Sequence, residues 1–171
     1  LHERVMFEEL RKRVLVSGGG VLESQRLLMP VIVDADATTQ ATLESMQPLL
    51  RRIGVEAEPI GPGSVGVHAF PTFLFDRHVE PGEFVRELLE KAEAGALRAG
   101  DATSEEAALH DVLDMMACKA AVKAGDKLTQ AELAALLAKR REIERASNCP
   151  HGRPTTLRLT LKDLERQFGR A

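Results

Sequence analysis

The chain has 171 residues, 44% apolar and 29% charged, with a net charge of −3. Such proportions describe a globular protein of one domain, or of two small ones sharing an interface, and the acidity excludes a whole-surface nucleic-acid binder. No apolar run approaches the ~20 residues that cross a bilayer, and without Trp or Tyr the chain is poorly equipped to stack single-stranded bases.

Residues 2–15 carry apolar side chains at helical spacing, and Glu3 lies on the same stripe as Phe7, Leu10 and Val14. A carboxylate there suits either a cap on the first turn or a metal ligand. The chain opens on Leu1 rather than Met and lacks the apolar core of a signal peptide, so it reads as the cut edge of a longer protein. Ser17-Gly18-Gly19-Gly20 makes a flexible join. The apolar run 26–34 suits a buried strand, and Pro30, which cannot donate to a ladder, puts it at a sheet edge or a bulge. A helix is expected over 38–52, with Leu43, Met46 and Leu50 on one face and a kink at Pro48. Strands over 54–60 and 64–70 flank Gly61-Pro62-Gly63, a hairpin turn signal, and Pro81 opens a helix carrying Phe84, Leu88 and Leu89. The order strand–helix–strand–strand–helix makes a small α+β unit over residues 25–97.

Gly95 to Ala102 reads as a linker, and Thr103 with Glu106 is a capping-box pattern ahead of a helix over 104–124, closed by Gly125. Its apolar surface spans two stripes. Leu109, Leu113, Met116 and Ala120 form one, and Met115, Cys118 and Val122 the other, as in a core or an oligomer interface. Lys119 and Lys123 share a face one turn apart. Thr129 with Glu132 caps a helix expected to reach about Ala146, with Leu133, Leu136 and Leu137 as its core contacts. Thr155 to Thr160 alternates as a half-buried strand, and Thr160 with Asp163 caps a last helix ending at Phe168-Gly169-Arg170.

Cys149-Pro150-His151-Gly152-Arg153-Pro154 packs a soft ligand, an imidazole and a guanidinium into six residues. Run extended, Cys149 and His151 project to one side and converge as a Zn²⁺ requires, with Zn–S near ~2.3 Å. Arg153 offers a fork for phosphate or carboxylate. Cys118 and Glu3 would complete a set of four donors; the competing readings are a buried free cysteine beside a turn, and a Cys118 that merely packs. Two cysteines make no disulfide framework and point to a reducing, cytosolic setting.

Ala117-Cys118-Lys119-Ala120-Ala121-Val122-Lys123, the hexapeptide from Cys149 to Pro154, and Phe168-Gly169-Arg170 together resemble the C-terminal domain of the DNA mismatch repair protein MutL, in its nuclease-bearing bacterial subfamily. The resemblance covers the whole chain. Of the family's Asp-Gln-His-Ala-x-x-Glu-x-x-x-x-Glu motif, Glu3 and Glu8 match the glutamates, while the Asp-Gln-His-Ala portion is not in this sequence. Where the family carries Arg after its helix cysteine, this chain has Lys119, which keeps the charge but not the bidentate fork.

The resemblance implies a two-lobed α+β fold: a homodimerisation subdomain over 1–24 and 98–171, with 25–97 inserted as an outer, regulatory lobe. It implies metal-assisted hydrolysis of double-stranded DNA, with Zn²⁺ and Mn²⁺ or Mg²⁺ held by Glu3, Cys118, Cys149 and His151 and with Glu3 and Arg153 catalytic. Lys119, Lys123 and Arg170 would contact DNA, and Gln25, Leu27, Leu28 and Pro30 would belong to a peptide that docks on the sliding clamp. Read without the family, that peptide is a plain strand start. ATP would be used only by another domain of such proteins, the mismatch-recognition protein MutS would be a further partner, and the location would be the bacterial cytoplasm. The other reading is a zinc-stabilised dimerisation and clamp-docking module without nuclease activity.

Overall fold

The computed structural model describes residues 1–16, 20–95, 97, 102–123, 125–140, 143, 154 and 159–169. The architecture is α+β, as the residue pattern predicts: a three-stranded antiparallel sheet with helices packed against it. Among the described residues, no helix is long and apolar enough to cross a membrane.

Helix α1 (His2–Arg11) runs on into a π-helical turn, Lys12–Val16. Its stripe buries Val5, Met6, Phe7, Leu10 and Val14, and it packs on α6 (Ala102–Ala120), where Leu109, Val112, Leu113 and Met116 are fully buried. The wide apolar face of α6 is therefore used inside the chain. The helix ends at Ala120 rather than 124, and it begins at Ala102, ahead of Thr103.

Strand β1 (Ser24–Asp34) is an edge strand, and β3 (Ser64–Pro71) lies between it and β2 (Glu56–Gly61). Arg26 faces Ala69 and Val31 faces Val67, so the register slips across Leu27 to Pro30. Both devices expected of Pro30, an edge and a bulge, are present. Between β1 and β2 the expected single helix is two, α2 (Ala37–Ser45) and α3 (Gln47–Arg52), parted at Met46. Pro48 sits in the first turn of α3, where a missing N–H leaves no hydrogen bond unmade. Gly54 holds φ 77°, and a Cβ there would lie 2.7 Å from the carbonyl oxygen of Leu22, so only glycine fits.

After β3 comes a short helix the pattern did not announce, α4 (Thr72–Phe75), and then α5 (Pro81–Glu93) with Phe84, Val85, Leu88 and Leu89 buried. Glu80 caps α5 by accepting the Glu83 N–H at 2.6 Å. Phe84 meets Phe70 edge-on at 5.5 Å, which joins α5 to the sheet. The buried apolar residues form one continuous cluster from Val5 to Ala120.

Helix α7 (Gln130–Lys139) stops short of Ala146. Its capping box is formed, since Thr129 Oγ1 accepts the Glu132 N–H at 3.2 Å while the Glu132 side chain accepts the Thr129 N–H at 2.8 Å. Its leucines were expected in the core, but Leu133 is 44% and Leu137 59% exposed, and only Leu136 packs partly on the core. A short helix touching the core along a narrow stripe buries one leucine, not three. The same reciprocal cap opens α8 (Leu161–Gln167) from Thr160 and Asp163. Leu159 and Thr160 lie outside any strand, and residues 155–158 are outside the described set. Leu161 and Phe168 are also exposed.

Candidate functional site

The packing of α1 on α6 joins the helices that carry two predicted site residues far apart in the chain. Glu3 lies in the first turn of α1, and Cys118 lies in the last turn of α6 with its thiol unbridged. Burial pushes the Cys118 thiol up from its ordinary range, and the negative charges of Glu3 and then Asp114 push it the same way. An added positive charge there would favour the thiolate. A carboxylate and a thiol are both donor types that Zn²⁺ takes.

Among the described residues no group of three or more His, Cys, Asp or Glu is gathered as a metal site. Cys149, His151, Arg153 and Arg170 lie outside the described residues. Glu8, the second glutamate of the motif, is engaged elsewhere: Arg4 reaches it at 2.8 Å and Arg11 at 3.8 Å.

The lysine after Cys118 is held from α5. Lys119 Nζ lies 2.6 Å from Glu87 Oε2, and Lys91 Nζ lies 3.1 Å from the other oxygen of the same carboxylate. The hydrogen bond from Lys119, with a second from Lys91, holds the Glu87 carboxyl below its usual range against a smaller effect of burial. A groove between α5 and α6 is lined by Glu87, Lys91, Asp111, Asp114, Cys118 and Lys123, among others. Lys123 is exposed, and its backbone N–H donates to Asp126 at 2.8 Å.

Sequence reasoning did not single out His2, Glu87 or Lys91. His2 Nδ1 accepts the backbone N–H of Val122 at 2.8 Å, so the start of α1 is fixed to the segment just past α6. Burial, then the charges of Arg77 and the N-terminus, lower the His2 pKa and keep its ring neutral, as an acceptor must be. The Glu87–Lys91 pair has a helical i, i+4 signal, but nothing along the chain tells which partner helix it faces.

At the other candidate site, the register slip in β1 leaves Leu28 fully exposed and Met29 78% exposed, while Leu27 packs partly on the core. Gln25 is exposed and paired with Phe70 in the ladder. Pro30 is exposed on the same stretch of strand.

Residues 1–128 match the family described as the MutL C terminal dimerisation domain. Three bacterial proteins named DNA mismatch repair protein MutL align over 99% of this chain. The one from Syntrophus aciditrophicus is 36% identical over 169 residues, which cover 26% of that relative. The one from Acidiphilium cryptum is 39% identical over 170 residues and 28% of its length, and that from Heliobacterium modesticaldum 37% over 174 residues and 24%. The chain thus spans about a quarter of the length of the curated relatives it matches. Matched over three quarters of its length by one family and over nearly all of it by these relatives, the chain belongs to the MutL C-terminal dimerisation domain family.

Proposed function

We propose that this chain is the dimerisation and nuclease-bearing part of a MutL-type mismatch repair protein, acting as a homodimer that nicks double-stranded DNA by metal-dependent phosphodiester hydrolysis. The observation that carries the reading is the packing of α1 on α6, which brings the Glu3 charge to bear on the Cys118 thiol, at two positions where the family motifs fall. Cys149 and His151 would complete the donor set around Zn²⁺, with Mn²⁺ or Mg²⁺ beside it. A metal bound there would supply Lewis-acid stabilisation of the charge that develops on the phosphate. Glu3 would hold the metal from the first turn of α1, and Arg153 would orient a phosphate or a carboxylate ligand. Lys119, Lys123 and Arg170 would lie along the DNA backbone.

We assign residues 1–24 and 98–171 to the dimerising subdomain and 25–97 to an inserted lobe that docks on the sliding clamp. Exposure of Leu28 and Met29 on a bulged edge strand supports that docking role, because apolar side chains set outside the ladder are free to enter a partner's pocket. The exposed apolar residues of α7, and separately those of α8, are surfaces a homodimer contact could cover. The mismatch-recognition protein MutS is the further partner this reading implies.

Nicking of supercoiled plasmid in Mn²⁺ tests the nuclease. A protein made with the family's Asp-Gln-His-Ala directly ahead of Leu1 should nick, and Cys149→Ala in it should abolish nicking. Clamp binding without nicking in that protein would leave a zinc-stabilised dimerisation and docking module.

A further inference from the structure

We infer that Lys91 and Lys119 form a phosphate-binding pair whose ligand position is filled, in this conformation, by the carboxylate of Glu87. Glu87 accepts from Lys119 at 2.6 Å through one oxygen and from Lys91 at 3.1 Å through the other. Two ammonium groups from different helices thus converge on the two oxygens of one anion, as they would on two oxygens of a phosphate. The Lys91–Glu87 half is an ordinary pair one turn apart on α5. The Lys119 half is not, since it reaches across from α6, from the residue that follows Cys118.

The three side chains carry a net charge of +1 and border the same groove as Cys118 and Lys123. Asp111 and Asp114 line that groove too, so a phosphate enters it only where ammonium groups are freed to meet it. With Glu87 in place, the two ammonium groups share one carboxylate and keep a net charge of +1. With Glu87 withdrawn, a doubly cationic spot opens beside the helix that carries Cys118. The mask belongs to the segment bearing the exposed docking peptide. The first turn of α5 abuts β1 so closely that a Cβ on Gly82 would lie 3.0 Å from Val31 Cγ1. A partner seated on β1 therefore bears on the helix that holds Glu87.

This inference rests on the proposed DNA contact at Lys119; it adds Lys91 as a contact and Glu87 as their counter-charge. The test is the affinity of a short fluorescent DNA duplex over a range of salt, for the parent, Glu87→Gln, Lys119→Ala, and Glu87→Gln combined with Lys119→Ala or Lys91→Ala. Glu87→Gln should bind several-fold tighter, with a salt slope steeper by about 1–2 as one or two more phosphates are neutralised. Lys119→Ala made on the parent should weaken binding less than the same substitution made on Glu87→Gln, where either lysine substitution should remove the gain. Parent-like binding by Glu87→Gln, or a Lys119→Ala cost equal in both backgrounds, overturns the mask and leaves the DNA contact standing. No duplex binding by any variant overturns the DNA contact, and the mask with it. Amine-reactive labelling of the unsubstituted protein gives a second measurement that needs no Glu87 variant. Duplex should protect both Lys91 and Lys119; protection at Lys123 with neither of them overturns the pair.

Discussion

The Nδ1 of His2 accepts the backbone N–H of Val122 at 2.8 Å, closing the start of α1 onto the segment after α6. Those two helices carry Glu3 and Cys118, so this bond helps set how the two meet. His2→Ala should cost about 1 kcal/mol of stability, the usual net worth of one such hydrogen bond, and should lower zinc affinity as well. Chemical denaturation and zinc titration of the two proteins check it. The bond is also pH-dependent in a definite direction. Burial and Arg77 place the folded pKa below the ordinary 6.5, so the acceptor's contribution is whole above that pH. It is lost as pH falls through the lowered value. Amide exchange at Val122 should show protection declining in that window in the parent and not in His2→Ala.

Replacing Gln25 and Leu28 with Ala should abolish or strongly weaken binding to the sliding clamp while changing stability by less than about 0.5 kcal/mol, since both side chains are exposed. Thermal melts and surface plasmon resonance on the same preparations separate the two effects. Parent-like clamp affinity would remove Gln25 and Leu28 from the docking surface.

Leu133→Asp with Leu137→Asp should yield a folded monomer of 18.7 kDa by light scattering, where the parent should run as a dimer. Both leucines lie outside the core of the single chain, so a monomer with parent-like circular dichroism is the expected outcome. A double variant that still runs as a dimer would place the contact elsewhere.

The local signals in the sequence translated well into structure. The two reciprocal caps at Thr129 and Thr160 formed, and Pro30 marked both an edge and a bulge, because each depends on neighbours within a few residues. Pro48 marked where one expected helix became two, since a proline is tolerated in a first turn and not in the interior. One local signal misplaced its boundary, since α6 begins ahead of Thr103, and most of the rest that went wrong or unseen depended on distance along the chain. Leu133 and Leu137 have helical spacing whether or not a partner helix covers them, so periodicity alone sent them to the core. Glu87 is one acidic residue among many on exposed helix faces until α6 brings Lys119 to it. His2 looks like a variable position of a motif, and only the path of the chain past Ala120 makes it an acceptor for Val122. Glu3 and Cys118 could be grouped as donors by residue type, but spacing could not show that α1 packs on α6.

Zinc affinity, measured by competition with a chromogenic chelator across pH, tests the shared metal site most directly. Binding must remove the Cys118 proton, which burial, Glu3 and Asp114 all hold in place, so affinity should fall steadily as the solution is acidified. Cys118→Ser and Cys149→Ser should each weaken zinc by at least ~10-fold, no less than the loss of a residue that merely supports a ligand. The double variant should be little worse than either, because both cysteines serve one ion. Zinc affinity unchanged by both substitutions, or independent of pH, would contradict a site built from Glu3, Cys118, Cys149 and His151.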